Sequence, residues 1–139
     1  MPTTLGSSAG QRNLQWFFAD GNFTVPANIF WVWVSGQGAG ASGGAGSRES
    51  TTSGSDIAAY GGGSGRLMLR QVFQVTPGQV ISVTLGIGGL AVQTDASVVS
   101  EVTGNPGGST IIGSLAALLG GNPGGAVGGS TVSGGTGAA

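Results

Sequence analysis

The sequence predicts an all-β domain, a small antiparallel β-sandwich or jelly-roll-like fold with long glycine-rich loops, and three observations point there. The run Ile29-Phe30-Trp31-Val32-Trp33-Val34 is wholly β-branched or aromatic, the strongest strand signal in the chain. Turn chemistry at Asp20-Gly21 and Thr76-Pro77-Gly78-Gln79 separates further strand-like runs. Glycine and proline together make up 36 of the 139 residues (31 and 5), yet a hydrophobic fraction of 39% and a charged fraction of 6% are the reverse of a disordered composition.

Residues 1–13 have no periodicity and read as a flexible N-terminal arm, with 14–139 a single domain. Gln15–Ala19 and Asn22–Val25 flank Asp20-Gly21 and read as a hairpin. Pro26-Ala27-Asn28 interrupts pairing, because proline has no N–H to donate. The Ile29–Val34 strand carries apolar groups at every position, so burial on both faces is expected, and the aromatic residues are expected in the core.

Residues 36–65 are a stretch rich in Gly, Ser, Ala and Thr, too long for an idle loop, and mark the first candidate for a contact surface. Arg66–Val75 resumes strand character, with Leu67, Leu69, Phe73 and Val75 expected on one side and the arginines on the other. The Thr76–Gln79 turn predicts that Val80–Leu85 returns against it as a hairpin. Ala91–Gln93 and Ser97–Val102 are candidate short strands.

Asn105-Pro106-Gly107-Gly108 recurs as Asn122-Pro123-Gly124-Gly125, which reads as recurring turn chemistry. Ile111–Gly120 fits either a short helix capped by Ser114 and Gly120 or buried strands, and the all-β surroundings favour strands. Residues 120–139 read as extended chain packed on the domain or as a tail.

Several motifs resemble catalytic or ligand sites without the residues that would make them work. Gly36-Gln37-Gly38-Ala39-Gly40-Ala41 spells a dinucleotide fingerprint after a strand, but residues 42–55 lack the apolar period of the helix that must hold the pyrophosphate. Gly40-Ala41-Ser42-Gly43-Gly44 spells a nucleophile elbow in a chain without histidine or lysine to take the serine proton. The acids Asp20, Glu49, Asp56, Asp95 and Glu101 stand apart rather than in a hydrolytic pair or a calcium loop.

No enzymatic activity and no cofactor is expected. Four scattered arginines cannot form the basic stripe that nucleic acid requires, so no nucleic-acid partner is expected. The N-terminus has no basic and then apolar signal pattern, and the longest apolar runs fall far below the roughly 20 residues of a membrane helix, so no membrane insertion is expected.

At Asn22-Phe23-Thr24-Val25-Pro26-Ala27, Val32-Trp33-Val34, Tyr60-Gly61-Gly62-Gly63-Ser64-Gly65, Val75-Thr76-Pro77-Gly78-Gln79 and Leu85-Gly86-Ile87-Gly88-Gly89, the chain resembles the glycine-rich domains of tailed-bacteriophage structural proteins. These are found in tail fibres, tail-tip adhesins and small virion proteins. The resemblance spans about residues 14–125 and implies a sandwich-like core, glycine segments packed as polyproline-II-like strands, no catalysis, and a place on the virion surface, tail or capsid.

It further implies assembly with copies of itself, a trimer being favoured, contact with other virion proteins, and a host-surface glycan as a further partner. The family usually has glycine where Asn28 stands, and the length suits a small stand-alone subunit better than a complete fibre. Candidate contact residues in the glycine loops are Gly36, Gln37, Gly38, Arg48, Tyr60, Gly62 and Gly63, and candidate arm or assembly contacts are Leu5, Arg12 and Trp16. A second reading is a carbohydrate-binding module that stacks sugars on Tyr60 beside the glycine loops.

Overall fold

The structure, a computed structural model, describes residues 14–47, 57–94, 100–128 and 135–139. Among these residues there is no helix, and every paired strand is antiparallel. In chain order the strands are β1 (Gly21–Thr24), β2 (Trp31–Gln37), β3 (Ala45–Ser47), β4 (Ile57–Ala59), β5 (Leu67–Gln74), β6 (Val80–Thr84), β7 (Ser100–Val102), β8 (Thr110–Ile112), β9 (Ala116–Leu118) and β10 (Ala126–Gly128). A four-stranded sheet in the order β1-β6-β8-β9 and the β2–β5 pair share one core, as the sequence predicts for a small all-β domain.

That core is aliphatic. Ile81, Val83, Ile112 and Leu118 from the larger sheet meet Val32, Val34 and Met68 from the smaller. Val25 (1% exposed) and Val75 plug the two corners where the chain passes from one sheet to the other. Each such burial removes an apolar side chain from water at a gain of about 1.5–3 kcal/mol.

The corners correct the expected pairing. Thr76–Gln79 is a turn, closed by the Gln79 N–H on the Thr76 carbonyl (3.0 Å) and by the Thr76 N–H on Gln79 Oε1 (3.0 Å), with Gly78 at φ 78°. It joins β5 to a strand of the other sheet, however: β6 pairs with β1, and β5 pairs with β2. The β1–β2 connection lies beside it, held by the Val25 N–H on the Gln79 carbonyl (2.8 Å) and the Gly78 N–H on the Val25 carbonyl (2.9 Å). Asn28 there takes φ 67°, the left-handed conformation that glycine enters freely and asparagine tolerates better than most residues.

The Asp20–Gly21 hairpin also gives way. Residues 14–17 are in no strand, and the Asp20 carboxylate instead accepts the Leu85 N–H (2.8 Å), anchoring the start of β1 beside the end of β6. Phe17 turns into the core while Trp16 and Phe18 point outward.

In β5 the expected alternation breaks at a bulge. Val34 faces Gln71 but Gly36 faces Met68, so Leu69 and Arg70 together oppose Ser35. Arg70 lies at φ 49° and its N–H is held by Ser35 Oγ (2.8 Å). The extra residue puts Met68 and Phe73 inward and leaves Leu67 and Leu69 exposed, rather than leaving all four apolar residues on one side.

Ile111–Gly120 resolves as strands: β8 and β9 form a tight hairpin through Gly113 at φ 47° and the Leu115 N–H on the Ile112 carbonyl (2.9 Å). Ala91–Gln93 is not a strand, and β7 covers the described end of the second candidate, Ser100–Val102.

Candidate functional site

Beyond the sandwich, the glycine-rich segments 38–44, 60–66, 86–90, 104–108, 119–125 and 135–138 run extended alongside one another. Their backbone donors recur every third residue: Gly38, Ala41 and Gly44 give to the carbonyls of Arg66, Gly63 and Tyr60, while Tyr60, Gly63 and Arg66 give to those of Gly125, Asn122 and Leu119 (2.8–3.0 Å). Three residues per turn is the polyproline II repeat, whose lone chain has no internal hydrogen bonds and must pair with neighbours to bury its backbone.

The pairing closes in triangles. Ala39 and Ser42 donate to 104–108, Gly104 and Gly107 donate to 119–125, and Gly121 and Gly124 donate back to 39 and 42 (2.9–3.0 Å). A second triangle joins 60–66, 119–125 and 135–138 through Gly63, Asn122 and Gly135. The residues after 119 that the structure describes are thus packed extended chain.

Glycine is required wherever one segment crosses another. A Cβ on Gly107 would fall on the Ala39 carbonyl, and one on Gly38 on the Leu119 carbonyl, the crowding that admits only glycine at the collagen axis. Pairs at i and i+3 (Gly62/Gly65, Gly86/Gly89, Gly104/Gly107, Gly121/Gly124) all abut backbone in this way. That spacing is the sequence signal for the lattice. The two Asn-Pro-Gly-Gly repeats are not turns: both run extended, side by side, with donors at 104, 107, 121 and 124 straddling the prolines. Proline presets φ near −65°, which suits polyproline II as well as it suits a turn.

Side chains pin the lattice to the sandwich and to itself. The buried Thr110 hydroxyl donates to the Gln37 carbonyl (2.9 Å) and accepts the Gly86 N–H (3.1 Å), tying β8 to the end of β2 and the start of segment 86–90. Ser42 Oγ accepts the Asn105 N–H (2.8 Å), Asn105 Nδ2 reaches the Leu90 carbonyl, and Asn122 Nδ2 reaches Thr136 Oγ1.

At the far end of the lattice the ladders β3–β7 and β4–β10 bring Ser47 opposite Ser100 and Ile57 opposite Gly128. The four short strands β3, β4, β7 and β10 come together there.

The candidate contact residues divide accordingly. Gly36 is half-buried in β2, where a Cβ would stand 3.0 Å from Leu118 Cδ1. Gln37 exposes its side chain while its carbonyl is bound by Thr110. Gly38 and Gly63 are buried and Gly62 abuts the Ala41 carbonyl, so their backbone serves this chain rather than facing a neighbour. Tyr60 is half-buried, with its N–H and carbonyl both bonded inside the lattice. Trp16 is exposed. Leu5, Arg12 and Arg48 lie outside the described residues.

A different surface emerges on β2. Its inner positions Val32 and Val34 pack on the core, but Trp31 and Trp33 are 54% and 68% exposed, contrary to a strand buried on both faces. With Val72, directly opposite Trp33, and with Leu67 and Leu69, they make the outer face of the β2–β5 sheet apolar. The signal is present in the sequence: strict alternation puts Trp31 and Trp33 on one face, and a two-stranded sheet has no second layer to cover it.

An all-β sandwich continued by a triangulated polyproline-II lattice is a side-chain-poor architecture. The chain belongs to the glycine-rich domain family, whose pattern matches residues 18–139. Neither a curated protein nor a solved structure gives a significant match to the chain.

Proposed function

We propose that this chain is a non-enzymatic structural protein of a tailed-phage virion, a tail-fibre or adhesin-like module or a small capsid-decorating subunit. The observation that carries the reading is the glycine lattice. It commits backbone from six separate segments to one another and so makes a stiff connector between the sandwich and the end where β3, β4, β7 and β10 meet. A rigid spacer with a broad apolar face on the sandwich suits a part that is anchored on a particle and holds its far end away from it.

The order of its segments resembles that of phage glycine-rich domains, which supports a position on the tail or capsid surface beside copies of itself, a trimer being favoured, and beside other virion proteins. The test is location in the particle. Mass spectrometry of purified virions, with antibody labelling seen by electron microscopy, is expected to find the chain at stoichiometric copy number on the tail or the capsid. Its absence from purified particles would overturn the reading.

A further inference from the structure

We propose that the outer face of the β2–β5 sheet is a self-association surface, which docks against the same face of other copies of this chain. The inference deepens the assembly reading above and rests on it for its setting, while the contact itself is argued from the surface.

The two sheets differ sharply on their outer sides. The larger one presents Asn22, Thr24, Ser82 and Thr84 to water, with Val80 and Ile111 scattered among them. The smaller presents Trp31, Trp33, Leu67, Leu69 and Val72 together. Two tryptophans and three aliphatic side chains at these exposures offer on the order of 500 Å² of contiguous apolar surface, at the upper end of what soluble monomers leave open.

Gln74 lies opposite Trp31 at one end of the face, and Gln37 opposite Leu67 at the other. An apolar centre with a polar rim is the anatomy of a protein interface. With that rim included, the face approaches the roughly 800 Å² per partner of a stable complex.

Charge selects the occupant. The face carries no acid and only Arg70, in the bulge, so it has no pattern with which to recognise a charged partner and little repulsion against its own copy. A guanidinium brought over a facing tryptophan adds attraction instead. Sheets packed face to face sit about 10 Å apart, which lets tryptophans from the two copies interdigitate. Such a contact closes at two copies across a dyad, and the same faces can instead converge at three around an axis.

The test is sedimentation velocity of the purified chain over roughly 1–100 µM. The expected species has two or three times the 13.3 kDa chain mass. Trp33→Glu should weaken the association by about 100-fold or more, and the milder Leu69→Gln by about 10-fold, each with an unchanged melting temperature in dilute solution. Val80→Glu, on the outer side of the other sheet, should leave association as it was.

A wild-type monomer throughout the range overturns the proposal, as does Trp33→Glu associating like wild type, or Val80→Glu being the variant that dissociates. A monomer that retains glycans on an array, and loses them with Trp33→Glu, makes the face a sugar platform and equally overturns it. A monomer that associates only once residues 1–13 are removed assigns the face to the chain's own N-terminal stretch, and the proposal fails there too. Association in solution together with absence from virions would sink the virion reading alone.

Discussion

The sandwich and the glycine lattice bury their backbones by opposite means. Between the two sheets of the sandwich, side chains such as Leu118 (2% exposed) and Ile81 supply the contact, and the sheets stay one side-chain layer apart. In the lattice the segments touch backbone to backbone, and the absence of a side chain is what allows the contact. One half is therefore sensitive to losing atoms and the other to gaining them. Each substitution below probes which rule governs a given position.

The largest effect is expected from adding a single carbon in the lattice. At Gly107 a Cβ would fall on the Ala39 carbonyl, with the Gly40 carbon 2.8 Å away. Both belong to backbone held on other sides, so nothing can swing clear. Gly107→Ala should cost about 3 kcal/mol or more, at or beyond the usual range for overpacking, read as a lowered midpoint in urea. A midpoint within a few tenths of a molar of wild type would show the lattice to be loosely packed.

In the sandwich the reverse change should hurt. Leu118→Ala removes three carbons from a site enclosed by Gly36, Ile112 and their neighbours, for an expected loss of about 2–4 kcal/mol. The same truncation at the exposed Leu119 should be nearly silent, so the pair calibrates the comparison by chemical denaturation.

Where the two halves meet, the rule is neither gain nor loss of volume but hydrogen bonding. Thr110→Val keeps the shape and removes the hydroxyl that binds the Gln37 carbonyl and the Gly86 N–H. Leaving those two groups unsatisfied should cost about 1–3 kcal/mol. Amide exchange at Gly86 should quicken more than exchange within β6.

The sandwich is more legible in the sequence than the lattice, and for a physical reason. Strand character at Trp31–Val34 and the turn at Thr76–Gln79 are written in side chains and local dihedral preferences, and both stand where those preferences put them. Which strand β6 pairs with is not written there, because one tight turn serves equally to fold a hairpin and to carry the chain to a second sheet. The outward Trp31 and Trp33 depart from the expected burial because hydrophobicity reports a tendency to be covered without naming the cover.

In segments 38–44, 60–66, 104–108 and 119–125 the period is three, and it is marked only by glycine at i and i+3 amid other glycines. A lattice made of backbone leaves almost nothing in the sequence to pattern. The candidate contacts Gly38, Gly62 and Gly63 stand out for their bareness, yet bareness here serves internal packing.

That distinction gives the smallest and most discriminating prediction. Gly61 stands between Tyr60 and Gly62 in the same run, but a Cβ there would meet nothing within 4 Å, and its φ lies outside the left-handed region. If the lattice tolerates side chains wherever a segment faces water, Gly61→Ala should be neutral or should stabilise by up to about 1 kcal/mol, because alanine has less conformational freedom to lose on folding. Its neighbour Gly62→Ala should be strongly destabilising, since that Cβ falls on the Ala41 carbonyl. Thermal melts of the two variants side by side decide the point. Equal losses at both would mean that the run needs flexibility everywhere, whereas a split between them ties each glycine to the face of a three-residue turn on which it lies.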